Sequence, residues 1–375
     1  MEILAEKQME QGGLIRRMEK KRVLLVGSDL KAVRGGMVSM IQNLLEYEEW
    51  GEFELSYLVS HTEGSRVKKA VCFFKGYMRL AALLICRQTD LLHLHVSERG
   101  SVYRKAAILF LAKKLGYPVI VHHHGAEFWH FYGGLTGKKK EIVRKFVEKA
   151  DLNILLSEKV RRDFQAEFPK AQTAVVSNAV KVPAQNPYSG GEDAVFTLGR
   201  LGERKGTYIL LEAYADAVKT IPEQLSLWLC GDGETEKTEI FANRLGLKNR
   251  IKHIGWISGS EKKKVFRRAL IHVLPSYQEV LPMSILETMA MGIPNISTGI
   301  ASIPEVIEHG VNGYLIAPGD RKGLTELITK LCLDRELRME MSRMAYQTVK
   351  EKFSIPVCCE NIKELYRKVL SGCRN

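Results

Sequence analysis

Residues 275–292, PSYQEVLPMSILETMAMG, hold the reading from which the rest of the chain is worked out. The apolar run before them, ending at Pro275, has the composition of a buried strand. A polar loop follows. Pro282 then stands where a first helical turn tolerates a residue without an N–H, and apolar residues recur at helical spacing through Met291. Strand, loop and helix in that order form half of a βαβ unit, and the same alternation extends both ways. Arg22–Gly27, Phe53–Val59, Leu91–His95, Val119–His123, Leu152–Leu156 and Ala174–Val176 read as strands upstream. Ala194–Leu198, Leu225–Cys230, Ile251–Ile254, Ile271–Pro275, Asn295–Thr298 and Tyr314–Ile316 do so around the opening stretch. Helical patterns fill the gaps, in the second half near 207–219, 236–245, 260–269, 282–291, 303–309 and 321–333. Such alternation predicts an α/β fold of parallel sheets with helices on both faces.

Between the two series, residues 177–193 (SNAVKVPAQNPYSGGED) gather Pro, Gly, Asn and Ser and read as a linker. The expected organisation is an extension over 1–21, a Rossmann-like domain over 22–183, a second over 184–352 and a terminal helix over 353–375. Two doubly wound sheets at one hinge enclose a cleft, and ligands in such sheets sit at the carboxyl ends of the strands. Residues 1–17 have no partner element, so two readings stand for them: translation starting at Met18, or a short helical extension.

Composition narrows the function classes. With 375 residues, 45% hydrophobic and 26% charged, the chain suits two soluble domains. It has neither an apolar run of about eighteen residues nor the apolar core of a signal peptide, so a cytoplasmic location is expected. Its seven cysteines include no C-x-x-C pair, which argues against a disulfide framework and against zinc. The net charge is +13, and the first half carries most of it: residues 1–190 hold 30 basic and 20 acidic side chains, residues 191–375 hold 26 and 23. Nucleic acid and an anionic membrane surface are the partners such charge suggests. No stacking-aromatic, zinc or helix-turn-helix pattern supports nucleic acid, which is not expected.

Two stretches carry the chemistry. In the opening stretch, a helix N-terminus aimed into a cleft attracts anions through its free N–H groups and dipole, which suits a diphosphate. Pro282 has no N–H to give, so Met283 and Ser284 are the expected backbone donors. Glu287, one turn in, can accept both hydroxyls of a ribose, and Glu279 lies in the loop before it. The second stretch is Phe196–Gly206, FTLGRLGERKG, a strand running into a glycine-rich turn with Arg200, Arg204 and Lys205. Arginine forks and lysine point charges bind phosphate oxygens.

Together these stretches resemble glycosyltransferase family 4, the retaining glycosyltransferases of GT-B fold. The family's G-R-L, short gap and K-G are matched by Gly199-Arg200-Leu201 and Lys205-Gly206. Its two glutamates with seven residues between them are matched by Glu279 and Glu287. Its A-M-A-x-G-x-P is matched by residues 288–294, with Thr288 in place of Ala, and its glycine turn by Gly231-Asp232-Gly233-Glu234. Its closing I-P-E-V, N-G and P-G-D are matched by Ile303–Val306, Asn312-Gly313 and Pro318-Gly319-Asp320. The resemblance spans nearly all of 22–350. It implies that Arg200 and Lys205 bind the donor diphosphate, Glu287 the ribose and Glu279 the transferred sugar, with the base near Ile254–Ser258. It also implies a C-terminal helix returning toward the first domain. Val280-Leu281 and Asn295–Gly299 depart from the family's pattern beside the sugar pocket and bear on which sugar is used.

In the first half, Gly35-Gly36 matches the family's early glycine pair, which places Gly36 at the donor. His122-His123-His124-Gly125 matches its His-Gly, which makes His124, with Glu279, a catalytic residue near the reacting carbon. No metal is expected from the three adjacent histidines, since neighbours on a strand point apart. No cofactor is expected beyond the nucleotide-sugar donor substrate, and no D-x-D motif occurs. Ser97-Glu98-Arg99 is placed toward the acceptor by position alone. Lys68–Arg87 (KKAVCFFKGYMRLAALLICR) mixes basic and large apolar residues and suits a lipid surface, which would make the acceptor a lipid-linked saccharide in polysaccharide or capsule assembly. A sugar-nucleotide epimerase of the same two-domain plan is the competing enzyme class.

Overall fold

The computed structural model describes residues 20–33, 35–125, 127–191, 193–257 and 259–372; Met18, Ser258 and Cys373 lie outside them. Among the described residues twelve strands form two six-stranded parallel sheets. The first contains β1 (Lys21–Ser28), β2 (Phe53–His61), β3 (Leu91–Val96), β4 (Val119–His123), β5 (Leu152–Leu155) and β6 (Thr173–Val175), in the order β2-β1-β3-β4-β5-β6. The second contains β7 (Ala194–Leu198), β8 (Ser226–Cys230), β9 (Ile251–Gly255), β10 (Ala269–Leu274), β11 (Asn295–Thr298) and β12 (Tyr314–Ile316), in the order β12-β11-β10-β7-β8-β9.

Covering both faces of a sheet demands strands apolar on both sides, and β1 shows how this is met. Leu24 and Val26 enter one core with Leu80 and Leu109, while Val23 and Leu25 enter another with Ile41 and Ile362. All four are buried. In the second sheet Val195, Ile271 and Val273 pack with Leu210, Leu211 and Ile328 from helices Thr207–Ala217 and Arg321–Leu333. The sequence of connections reverses between β1 and β3 and again between β7 and β10. Crevices open at those two switch points.

One expected helix is absent. Residues 303–309 form only a 3-10 turn, Ile303–Glu305. The Asn312 side chain explains the early stop: its Oδ1 accepts from Glu308 N–H (2.8 Å) and its Nδ2 donates to the Val306 carbonyl (3.0 Å), taking backbone groups a helix would use.

The chain crosses between sheets twice, side by side. Val180 N–H donates to the Phe353 carbonyl (3.0 Å) and Ile355 N–H to the Val180 carbonyl (3.2 Å). After the second crossing, helix Ile355–Gly372 lies on the first sheet, where Cys359, Ile362 and Tyr366 join the core of Val23, Leu25 and Phe53. Direct bonds also tie the lobes. Glu305 accepts from the Glu158 and Lys159 N–H groups (3.0 and 2.9 Å), capping helix Glu158–Glu167, and Ser302 Oγ donates to Ser157 Oγ (2.6 Å).

The turn after β7 depends on Gly206. Its φ of 71° is left-handed, and a Cβ there would collide with the Pro275 carbonyl after β10. Gly206→Ala should therefore lower stability by about 2 kcal/mol or more, from strain and overpacking together. Urea unfolding measures this, and an unchanged midpoint would show that the two loops separate freely.

Candidate active site

The expected donor residues come from the two strands that border the second switch point. β7 leads into Gly199–Gly206, and β10 leads into Pro275–Pro282. The Gly206–Pro275 approach holds these loops together, and it brings Lys205 Nζ into an ion pair with Glu279 Oε1. The lysine side chain is 15% exposed and the glutamate 7%, so neither charge is well solvated and each serves as the other's counterion. Ser276 Oγ donates to the same carboxylate oxygen (3.1 Å), and Arg204 donates to the Gln278 carbonyl (3.1 Å). Arg200 is exposed on the same turn.

Helix Met283–Ala290 starts directly after Pro282. Its first amides, those of Met283 and Ser284, have no acceptor within the helix, as for any helix start. Across the cleft stands Gly36, the first residue of helix Gly36–Glu46. A Cβ on Gly36 would lie 3.0 Å from Met283 Cγ, so the glycine lets the two helix starts approach. Glu287 is bonded to Lys262 Nζ (2.6 Å) on helix Gly259–Arg268. That lysine went unnoticed in the sequence because it sits in the run EKKK, which reads as a solvated face. β9 ends at Gly255, beyond which Trp256 is exposed and Ile257 buried.

The first lobe contributes the loops after β3 and β4. Gly125 shares a cavity of about 200 Å³ with Glu279, Val280 and Trp129. Glu279 also lines a second cavity of about 490 Å³ with Arg99, Glu127, Trp129 and Tyr277. Glu279 thus lines both hollows. Arg99 adopts a φ of 56° and is paired with Glu127 (2.8 Å). Glu98 is pressed against Gly125, where a Cβ would collide with its carboxylate, and burial together with Glu127 raises its carboxyl pKa.

His124 ends a column of imidazoles. Alternate residues of β3 and β4 share a face, and the register sets His95 opposite His122. His93, His95, His122 and His124 therefore stand together, with His95 Nδ1 3.0 Å from His124 Nε2. Farther in, His93 Nδ1 lies 2.7 Å from the Tyr366 hydroxyl and His93 Nε2 3.3 Å from His122 Nδ1. His93, His95 and His122 are fully buried, while His124 is partly exposed. Burial, reinforced by neighbouring imidazoles, holds the pKa of His124 well below that of free histidine, so the ring is neutral. One ring nitrogen from each of His93, His95 and His122 lies within 4.8 Å of the others. Two of these rings are already engaged through other contacts, His93 with Tyr366 and His95 with His124. The strand alternation in LLHLH and HHHG was the available signal for this column, but the register that joins them was not readable.

Two family models match the chain: Glycosyltransferase Family 4 over residues 52–182 and Glycosyl transferases group 1 over residues 181–348. D-inositol 3-phosphate glycosyltransferase of Corynebacterium jeikeium is 30% identical over 46% of this chain and 42% of its own length, so less than half of that relative is spanned. UDP-Gal:alpha-D-GlcNAc-diphosphoundecaprenol alpha-1,3-galactosyltransferase of Escherichia coli is 25% identical over 78% of this chain and 79% of its own. Among solved structures, Anabaena HepE in complex with UDP and glucose superposes with a TM-score of 0.71 at 18% identity, covering 93% of this chain and 100% of that one.

The histidine column makes stability depend on pH with a definite sign. Burial lowers His93 and His124 to about 3 in the fold, against 6.5 when free. The unfolded chain therefore binds more protons in that window, and the stability present above pH 6.5 is lost as pH falls toward 3. The thermal midpoint should decline steadily from pH 7 to pH 4.5, and less steeply in His93→Gln. A midpoint that rises on acidification would mean these rings protonate in the folded state.

Proposed function

Because the chain belongs to glycosyltransferase family 4, with the GT-B fold, we propose that it transfers a sugar from a nucleoside-diphosphate sugar to a saccharide acceptor with retention of anomeric configuration. The observation that carries this reading is the Lys205–Glu279 pair at the carboxyl ends of β7 and β10, beside the start of helix Met283–Ala290. The two side chains neutralise each other. A donor diphosphate would take over Lys205, and Glu279 would then be free to accept hydrogen bonds from hydroxyls of the sugar. Arg200 and the Met283 and Ser284 amides would join Lys205 on the phosphates, and Glu287 would turn from Lys262 to the ribose.

The chemistry follows from that placement. The bond from the anomeric carbon to the diphosphate breaks with its electron pair on the phosphate oxygen. Fixed cations and helix N–H groups stabilise the growing charge without having to reorganise. The acceptor hydroxyl forms its new bond to the same face of the carbon and gives its proton to the departing phosphate. A neutral His124 and the Glu279 carboxylate would orient the sugar. Domain closure would complete the site.

The acceptor side has its own support. Helix Arg66–Ile85 buries Gly76, Leu80 and Leu84 but exposes Val67, Val71, Phe74, Met78 and Ile85 along one stripe. Exposed Lys68, Lys75 and Arg79 flank it. No helix among the described residues is long and apolar enough to cross a membrane. A stripe of this kind suits lying on an anionic bilayer, where a lipid-linked saccharide would be presented to the cleft. The E. coli relative is named for a diphosphoundecaprenol-linked acceptor.

Arg200→Ala should lower turnover by about 10²–10³, the scale for losing one preorganised charge-stabilising donor, and EDTA should leave the rate unchanged. A thermal-shift screen of nucleotide sugars, followed by transfer assays with and without saccharide acceptor, measures both. Donor turnover that needs no acceptor would defeat the transferase reading. Vesicles of phosphatidylglycerol should sediment the wild type at low salt and retain much less of Phe74→Ser/Met78→Ser; equal retention would remove the membrane from the proposal.

A further inference from the structure

We infer that His95 is a positioning residue that donates from Nδ1–H to His124 Nε2, fixing His124 as the neutral tautomer with its proton on Nδ1. The inference deepens the proposed function and rests on its placement of His124 at the sugar. The first observation is the contact itself: His95 Nδ1 and His124 Nε2 are 3.0 Å apart, and their ring centroids 5.2 Å. One nitrogen must carry the hydrogen and the other accept it.

The second observation decides which. His95 is fully buried, and its Nε2 has no hydrogen-bond partner among the described residues. If His95 carried its proton there, a polar N–H would be buried with nothing to receive it. If the proton sits on Nδ1, the orphan is only a lone pair, and orphaned donors are the rarer and costlier case. His95 is therefore the donor. His124, accepting at Nε2, must hold its own proton on Nδ1. Protonation of the whole pair is opposed by burial, which keeps both rings neutral.

The assignment gives His124 a definite chemical character. Nδ1 of His124 has no partner among the described residues, and the residue is partly exposed, next in sequence to Gly125, which lines the cavity shared with Glu279. Its lone pair is occupied by His95, so the nitrogen left free is a donor and not a base. A group that offers N–H can hold a hydroxyl oxygen of the sugar; it cannot take a proton from the acceptor. The rest of the column supports the pair: the His122 ring is stacked on His124 with centroids 4.3 Å apart and restricts its rotation.

Long-range 15N–1H correlation spectra of the histidine-labelled, full-length protein at pH 7 test the assignment directly. His124, identified by its loss in His124→Gln, should show a protonated Nδ1 and an unprotonated Nε2. An Nε2–H tautomer or an imidazolium would overturn the inference, with or without any activity. Two variants extend the test. His95→Asn keeps a polar atom near the Nδ1 position and should retain most of the His124 signal and rate. His95→Leu should give mixed tautomers and lower kcat about tenfold at similar donor KM, roughly the worth of one hydrogen bond. Equal rates for the two variants would overturn it. If His95→Leu fails to fold, the wild-type spectrum still decides. If His124→Gln transfers sugar normally while the tautomer is as stated, the proposed role of His124 fails and the pairing stands.

Discussion

A lysine and a glutamate that can hardly reach water, drawn from two different loops, set the geometry on which everything else in the second lobe depends. Lys205 and Glu279 stand at the ends of strands adjacent in the sheet but 74 residues apart in sequence. Isolating either charge in that crevice would be costly, so the two loops are held in one arrangement. Gly206 supplies the contact distance, and Ser276 fixes the carboxylate from the other side. The pair also stores positive charge where an anion can claim it. A crevice already holding a charge balanced by its own side chain avoids burying a bare ammonium between turnovers.

The first lobe reaches the same cleft by a different device. Its site residues come from alternation on two neighbouring strands, which places four imidazoles in one column. Neutrality follows from burial, and orientation from stacking and two short nitrogen contacts. Gly36 and Met283 then mark where the lobes meet, with two helix starts converging on one region. Partial positive charge from both would favour an anionic group there.

Much of this was legible in the sequence because it is local. Apolar runs such as VLLV and glycine-rich turns such as GRLGERKG carry their meaning within a few residues, so ten of the twelve strands were found within about a residue at each end. Arg200, Lys205, Glu279 and Glu287 could be singled out for the same reason. What escaped was non-local. The pairing of His95 with His124 depends on register, Lys262 on helix packing, and the Glu305 cap on how the lobes dock. The short turn at Ile303–Glu305 escaped because a helical pattern there is overruled by one asparagine side chain. Tyr366, 273 residues from its partner His93, gave no sign of its role.

The returning terminal helix has a consequence for biosynthesis. The core that begins at Val23 also takes in Cys359, Ile362 and Tyr366, more than 330 residues later in the sequence. A ribosome delivers those residues after every strand of the second sheet. That face of the N-terminal sheet, covered by Met40, Ile41 and Leu44 of helix Gly36–Glu46, therefore lacks its second helix until the C-terminal lobe has been made. A chain stalled before helix Ile355–Gly372 would leave exposed the apolar surface which that helix buries in the finished fold.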